Sequence, residues 1–156
     1  MEKISAGDSK TPGCFFCRDL KAPPQRDKNN YLLLRTRTAF ILLNRFPYTN
    51  GHLMIVPNRH VSSLEKLSDN ERLDLLGLLD LALGLLKKVF HPHGFNVGIN
   101  LGRIGGAGVP GHIHVHAVPR WKGDTNFMPV LTGTKVISES LQATYLELKK
   151  ALKKNK

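Results

Sequence analysis

Three histidines alternate with apolar residues in the segment His112–Val118, which reads His-Ile-His-Val-His-Ala-Val. A period of two is the side-chain period of a β-strand. The segment therefore predicts a strand with all three imidazoles on one face and Ile113, Val115 and Ala117 facing a core. A surface strand can carry histidines by chance, and a histidine-rich tract can simply bind metal. Chance is a poor explanation here, because three of the chain's seven histidines fall together directly after a glycine-rich loop.

Four other apolar stretches have the length and turn-rich boundaries of strands. With the histidine segment they predict an antiparallel sheet of about five strands, in chain order Tyr31–Arg35, Ala39–Leu43, His52–Val56, Phe95–Leu101 and His112–Val118. Ser68, followed three residues later by Glu71, forms a capping box that predicts a helix with its leucine-rich body over Leu73–Phe90. A last helix is predicted from Ile137 to about Lys150. The predicted fold class is α+β, with the long helix packed on one face of the sheet and a C-terminal helix.

The length and composition suit one domain, because 156 residues that are 41% hydrophobic can build one core but hardly two. We expect residues 1–13 to be a flexible N-terminal segment, residues 14–156 to form the domain, and residues 21–30, with their paired prolines, to be a loop. No apolar run approaches the roughly 20 residues that span a bilayer. The N-terminus also has no apolar stretch like that of a secretory signal. The expected location is the cytoplasm, away from membranes.

A formal net charge of +11 indicates an anionic partner, which nucleic acid, nucleotides or a membrane surface would all satisfy. Part of the excess is better explained as a solvated helix end favoured by the helix dipole, namely Lys149, Lys150, Lys153, Lys154 and Lys156. Charge alone therefore does not choose among the three classes of partner.

Two local motifs add chemistry. The loop Gly102–Gly111 holds five glycines, so its backbone N–H groups can approach a phosphate closely. A tight connection between strands explains the glycines equally well, but the neighbouring Asn100 and Arg103 favour phosphate contact. Cys14 and Cys17 form a Cys-x-x-Cys pair, which in a reducing compartment favours metal binding or redox chemistry over a structural disulfide. By itself this pair is a weak signal.

Taken together, these motifs resemble a known family. The segment Gly111–Trp121 resembles the signature of the histidine-triad (HIT) nucleotide hydrolases and transferases. The segment Asn44–Pro57, with His60 beyond it, resembles the upstream half of their site, and the paired cysteines resemble those of the zinc-containing members. The match covers most of the chain, with several motifs in the family's order. Within the family, Pro119–Met128 is similar to the bacterial branch that resembles diadenosine tetraphosphate phosphorylases.

Cleavage of a phosphoanhydride needs an unprotonated nucleophile and a donor for the departing oxygen, and histidine can supply both because its ordinary pKa is about 6.5. The middle imidazole of the row is the best placed to attack, and the resemblance also maps the nucleophile to His114. His116 is then expected to hydrogen-bond the α-phosphate or to pass a proton to the bridging oxygen. The first histidine, His112, is left for a different task.

The resemblance also implies contacts to the nucleotide. It places Asn100 at the phosphate, Asn44 at the ribose hydroxyls and His52 near the triad in a supporting role. Many relatives carry a Gln or Ser four residues before the first triad histidine, where this chain has Gly108, so that contact must come from the backbone or be absent. Trp121 is either ordinary core or an aromatic that stacks on a base.

A zinc site is implied in the same way. The ligands in zinc-binding relatives correspond to Cys14, Cys17, His60 and His112, a set of two thiolates and two imidazoles that suits tetrahedral zinc. Such a metal would be structural, because protein atoms fill all four positions.

The resemblance implies an enzyme that cleaves a dinucleoside polyphosphate through an adenylyl-histidine intermediate, with phosphate (phosphorylase) or water (hydrolase) as the acceptor. Two alternatives remain: a HIT phosphoramidase acting on aminoacyl or lysyl adenylates, and a zinc-stabilised nucleotide- or nucleic-acid-binding module without turnover. The presence of all three triad histidines argues against a pure binder, so nucleic acid is not the expected partner. Relatives usually pair into dimers, so we also expect a homodimer or a larger homo-oligomer.

Overall fold

The computed structural model describes residues 13–124 and 139–154. Its helices and strands follow one another as α1 (Phe15–Lys21), β1 (Leu32–Arg35), β2 (Ala39–Leu43), β3 (Leu53–Pro57), α2 (Asp69–Phe90), β4 (Gly94–Ile99), β5 (Val115–Arg120) and α3 (Leu141–Lys153). The predicted α+β class is confirmed. The expected flexible segment lies outside the described residues except for Gly13. Across the described ranges, no helix has the length and apolar character needed to cross a membrane.

The five strands form one sheet in the order β1-β2-β3-β5-β4, and every neighbouring pair is antiparallel. The histidine-bearing strand β5 is therefore an interior strand, whereas β4 and β1 are the edges. Helix α3 covers the β1 edge, because Tyr145 Oη donates to Leu32 O at 3.3 Å and Lys149 Nζ donates to Leu33 O at 2.7 Å.

The two faces of the sheet bury different cores. Helices α2 and α3 cover one face, where Ile55 and Ala117 belong to the larger cluster. Helix α1 covers the other face, where Phe16 packs with Phe40 and Met54. Because Met54 pairs with His116 in the register of β3 and β5, the imidazole of His116 lies on the α1 face.

The capping box is confirmed. Ser68 Oγ accepts from the Glu71 N–H at 3.3 Å, and a Glu71 carboxylate oxygen accepts from the Ser68 N–H at 2.8 Å. Arg59 also donates to this carboxylate at 2.7 Å and lowers the pKa of Glu71 to about 2. The start of α2 is therefore set by local hydrogen bonds that the sequence alone indicates.

Strands β1, β3 and β4 differ from the prediction by one or two residues at an end, and three other elements differ more. Helix α1 was not predicted, because its seven residues are too short to show a helical period. Strand β5 begins at Val115 rather than His112, because the Ile113 N–H donates to Val61 O at 2.7 Å, outside the sheet. Helix α3 runs to Lys153, three residues past the predicted end, and the predicted start at Ile137 lies outside the described residues.

Candidate active site and metal centre

The three triad rings are buried side by side under helix α1. His112 is fully buried, and only 5% of His114 and 8% of His116 is exposed. The ring centroids of His114 and His116 are 4.8 Å apart. Phe16 packs its ring 5.5 Å from His112 and 5.0 Å from His114. The predicted common face is therefore formed, although only His116 lies within the strand itself.

The protonation of His114 follows from its hydrogen bond to the backbone. Its Nδ1 lies 2.9 Å from the carbonyl oxygen of His112. A carbonyl oxygen only accepts, so Nδ1 must carry the proton and Nε2 must hold the lone pair. Burial lowers the pKa of His114, which favours this neutral form. The geometry thus presents an unprotonated nitrogen on the ring expected to be the nucleophile.

A second chain of hydrogen bonds fixes the protonation of His116. The Tyr48 backbone N–H donates to His52 Nδ1 at 3.1 Å, so the proton of His52 must be on Nε2. His52 Nε2 lies 2.8 Å from His116 Nδ1 and therefore donates to it. The proton of His116 is then on Nε2, a buried atom with no hydrogen-bond partner among the described residues. A donor with no protein acceptor is suited to a ligand oxygen.

Burial, with a smaller effect of His114, lowers the pKa of His116 from 6.5 to about 4. At pH 7 the ring is neutral and acts as a hydrogen-bond donor through Nε2–H. Beside it there is open space: His116 pairs with Gly98 of β4, and a Cβ added at Gly98 would meet nothing within 4 Å. The described residues therefore leave room over Gly98, beside this ring.

This lowered pKa predicts how stability depends on pH. Below pH 6.5 the unfolded chain protonates His116 while the folded protein does not, so the free energy of unfolding falls as the pH falls from 6.5 to about 4. The full shift corresponds to about 3 kcal/mol. Urea unfolding at pH 7.0, 5.5 and 4.5 should show this loss, and a His116→Gln variant should show a shallower one. Equal losses in the two proteins would contradict the assigned pKa.

The other predicted nucleotide contacts lie at different distances from the triad. Asn44 is adjacent, with its Nδ2 3.3 Å from His52 Nδ1. Asn100 directly follows Ile99, which pairs with Val115, and its amide donates to Gly106 O at 3.3 Å. It therefore both borders the triad strand and braces the glycine-rich loop.

Three predicted residues lie further out. Arg103 and Gly108 are exposed in the glycine-rich loop. The indole N–H of Trp121 donates to Phe90 O at 3.3 Å, at the end of α2 on the opposite face of the sheet. In the described ranges, neither Arg103 nor Trp121 makes a hydrogen bond or ring contact with a triad histidine.

The predicted metal ligands converge into one cluster. One atom from each of four side chains lies within 4.8 Å of every other, from Cys14, Cys17, His60 and His112. His112 Nδ1 is 3.3 Å from Cys14 Sγ and 3.5 Å from Cys17 Sγ, and His60 Nδ1 is 3.3 Å from Cys17 Sγ. Tetrahedral zinc, with bonds of about 2.0 to 2.3 Å, separates such atoms by about 3.3 to 3.8 Å. The donor set and these three separations fit that ion.

Two features of the backbone orient the histidine ligands. His112 Nε2 donates to Pro57 O at 2.8 Å, which leaves the lone pair on the Nδ1 that faces the sulfurs. Gly111 has no Cβ to obstruct His60, since a Cβ there would lie 3.2 Å from His60 Nε2. The cluster is therefore oriented by the backbone as well as by its own side chains.

Two aromatic residues in the site were not singled out from the sequence. Phe16 lies between the two cysteines in the sequence, and its ring packs against His114. Helix α1, which the sequence did not predict, brings it there. The ring of Tyr48, 55% exposed, stacks on His116 at 5.9 Å and lies 4.7 Å from His52. Both lie inside segments that the sequence analysis singled out, but neither residue type indicates a ligand contact by itself.

Comparisons with known proteins agree with this arrangement. Residues 25–123 match the HIT domain family. The chain is 44% identical over 122 residues to a Mycobacterium tuberculosis protein named AP-4-A phosphorylase, covering 78% of this chain. The chain spans 63% of that relative's length. It is 30% identical over 107 residues to an adenosine 5'-monophosphoramidase of Schizosaccharomyces pombe, covering 69% of this chain and 74% of that protein.

A solved structure shows the same fold. A zinc-bound histidine triad family protein from Mycobacterium smegmatis superposes with a TM-score of 0.71 at 21% identity, covering 92% of this chain and 95% of that one. The family match contains His52, His60 and all three triad histidines. The chain therefore belongs to the HIT domain family.

Proposed function

We propose that this protein is a nucleotidyl transferase or hydrolase that cleaves dinucleoside polyphosphates through an adenylyl group held on His114. The observation that carries the proposal is the hydrogen bond from His114 Nδ1 to the His112 carbonyl. Because the proton is on Nδ1, Nε2 keeps its lone pair in the buried site. The relative named AP-4-A phosphorylase supports the substrate class.

In the first step, His114 Nε2 forms a bond to the α-phosphorus, and the bond from that phosphorus to the bridging oxygen breaks. The departing nucleotide takes the electron pair on that oxygen. The neutral His116 donates a hydrogen bond to it from Nε2–H, which stabilises the developing charge. His52 supports the step by occupying Nδ1 of the same ring, so that the donor stays on Nε2.

In the second step, an oxygen of the acceptor attacks the same phosphorus and the bond to His114 breaks, which restores the lone pair. Inorganic phosphate as acceptor gives ADP, and water gives AMP. The net charge of +11 favours an anionic acceptor, and for this reason phosphorolysis is the form that we propose first.

The nucleotide contacts implied by the family complete the site. Asn100 is proposed for the phosphate, and its position beside the triad strand, on the side where Gly98 leaves open space, supports this. Asn44 is proposed for the ribose hydroxyls, which an amide can both donate to and accept from. Arg103 and the backbone at Gly108 are proposed as outer contacts that a substrate longer than one nucleotide would reach. The bond from the Trp121 indole to Phe90 O favours an ordinary packing role for Trp121 over stacking on a base.

Zinc is the metal proposed for the cluster of Cys14, Cys17, His60 and His112. When bound, it would supply a structural cross-link and no open coordination position. The residues that hold it join α1 to the segment before β5, so they fix Phe16 against His114. A reducing, cytoplasmic setting suits the two thiolate ligands.

We also propose that residues 14–156 act as one HIT domain and that two copies pair. Strand β4 is an edge of the sheet, and Val97 on it is 47% exposed, so a second copy could continue the sheet there. Light scattering that gives the mass of one chain at micromolar concentration would contradict the dimer.

Product analysis with diadenosine tetraphosphate tests the function. Purified protein should release ADP and ATP only when orthophosphate is added if it is a phosphorylase. Formation of AMP and ATP without orthophosphate identifies a hydrolase. The absence of any nucleotide product under both conditions, in protein with its metal bound, would overturn the proposal in favour of a binding module.

A second function is favoured by one comparison, the 30% identity to an adenosine 5'-monophosphoramidase over 74% of that protein. The bond to His114 Nε2 would form in the same way, but the departing nitrogen takes up a proton and leaves as the amine. Water is the acceptor in the second step and gives up a proton as it attacks. Adenosine 5'-phosphoramidate included in the same assay distinguishes the two, because the preferred substrate shows the higher kcat/KM.

A further inference from the structure

A closed set of hydrogen bonds joins helix α3 to the loop that precedes His52. The Thr144 hydroxyl, on a fully buried residue, lies 2.7 Å from Asn50 Oδ1 and 3.0 Å from a Glu139 carboxylate oxygen. Asn50 Nδ2 donates to the same Glu139 oxygen at 3.2 Å. Each side chain thus contacts both of the others. The proposed reaction uses none of the three directly.

Asn50 lies in the loop that leads into His52, the residue that donates to His116. Asn50 precedes His52 by two residues, and Thr49 between β2 and β3 donates its hydroxyl to Pro119 O of β5 at 2.8 Å. Gly51 has φ +77, and a Cβ there would lie 3.0 Å from Leu86 of α2. Elements β5, α2 and α3 therefore all fix the backbone that leads into His52.

Burying a hydroxyl between two acceptors is a costly way to fill space. A valine has nearly the same shape and needs no partner, so packing alone does not require threonine at this position. What the polar set adds is a defined distance and direction, which an apolar contact does not impose. That precision matters for His52, whose Nε2–H must meet His116 Nδ1 at 2.8 Å.

We propose that Thr144, together with Glu139, is a positioning residue that holds Asn50 and thereby keeps His52 Nε2–H on His116 Nδ1. This inference rests on the proposed function, in which His116 Nε2–H donates to the leaving oxygen. When the loop shifts, His116 is free to carry its proton on Nδ1 instead. Its Nε2 then presents a lone pair to the departing oxygen, and the developing charge loses its donor.

The test uses adenosine 5'-monophosphate aryl esters whose phenols have increasing pKa. A Thr144→Val variant should lower kcat/KM by about tenfold for the most basic phenol and by less than about twofold for the most acidic, because only a poor leaving group needs the donor. Thr144→Ser keeps the hydroxyl, so its slope of log kcat/KM against the pKa of the phenol should equal that of the unaltered protein. Glu139→Ala should make this slope steeper in the same way, and it provides the test if Thr144→Val fails to fold.

Tyr145→Phe is the matched control. It removes a hydroxyl from the next residue of α3, one that donates to Leu32 O at the β1 edge and not to the loop. Its leaving-group slope should equal that of the unaltered protein. An equal steepening in Tyr145→Phe, or a uniform loss across all esters in Thr144→Val and Glu139→Ala, would overturn the inference and show a merely structural role.

His116→Ala removes the donor itself and so separates a failure of the positioning role from a failure of the proposed function. It should give the steepest dependence on the leaving group of all the variants. If it does and both Thr144→Val and Glu139→Ala keep the original slope, the positioning role is wrong and the proposed function stands. If His116→Ala itself leaves the slope unchanged, the proposed role of His116 fails, and the positioning role fails with it.

Discussion

A His114→Ala variant should lose covalent turnover, with kcat lower by at least about 10⁴-fold. The buried site holds a lone pair on His114 Nε2 because its Nδ1 is committed to the His112 carbonyl at 2.9 Å. The neighbouring His116 carries its proton on Nε2, so it cannot replace the nucleophile. Initial rates with diadenosine tetraphosphate measure the loss. Mass spectrometry of acid-quenched protein should find the adenylyl adduct only when His114 is present.

Two further variants show that this loss is chemical and not a loss of the fold. His114→Asn can still donate to the His112 carbonyl, so its thermal unfolding should stay close to that of the unaltered protein while its activity falls as in the alanine variant. His91→Asn changes an exposed histidine with φ 47 at the end of α2 and should form the adduct normally. An adduct on His114→Asn, or activity within tenfold of the original, would refute the role of His114.

The alternation from His112 to His116 predicts that the three rings lie together, because the direction of a side chain on an extended segment is a local property. The capping box at Ser68 and the leucine-rich helix after it are local in the same sense, and both are confirmed. The order β1-β2-β3-β5-β4 is only partly local, since it needs the long connection through α2 that puts β5 beside β3.

The features that the sequence did not indicate depend on contacts between distant segments. Helix α1 places Phe16 on two triad rings, but its amphipathic pattern is too short to recognise. The proton positions follow from a Tyr48 backbone N–H and a His112 carbonyl, and no residue type encodes either one. The bond between Asn50 and Thr144 joins residues 94 positions apart.

The histidine triad and the proposed metal cluster share one short segment. His112 offers Nδ1 to the metal cluster, and its carbonyl oxygen fixes the proton of His114. On the other side, Cys14 and Cys17 flank Phe16, which packs on both histidines. A metal that holds this cluster therefore fixes the acceptor that sets the nucleophile and the ring that covers it.

Loss of the proposed zinc should consequently affect stability more than chemistry. A double variant, Cys14→Ala with Cys17→Ala, should bind no zinc, because two imidazoles alone do not fill a tetrahedral site. We expect its midpoint of thermal unfolding to fall by about 10 °C, since a structural zinc contributes several kcal/mol to folding. Its kcat should fall by about tenfold, because His114 remains but is less well oriented. Calorimetry, metal analysis and the diadenosine tetraphosphate assay measure the three effects.

The matched comparison is zinc removal and restoration. Treating the unaltered protein with a chelator should lower its unfolding midpoint to that of the double variant, and adding one equivalent of zinc should restore it. Neither treatment should move the midpoint of the double variant, which keeps His60 and His112 but lacks both thiols. If the unaltered protein carries no zinc after purification and zinc does not raise its midpoint, the cluster is not a metal centre. The spacing of 3.3 Å between His112 Nδ1 and Cys14 Sγ would then reflect a thiol–imidazole hydrogen bond alone.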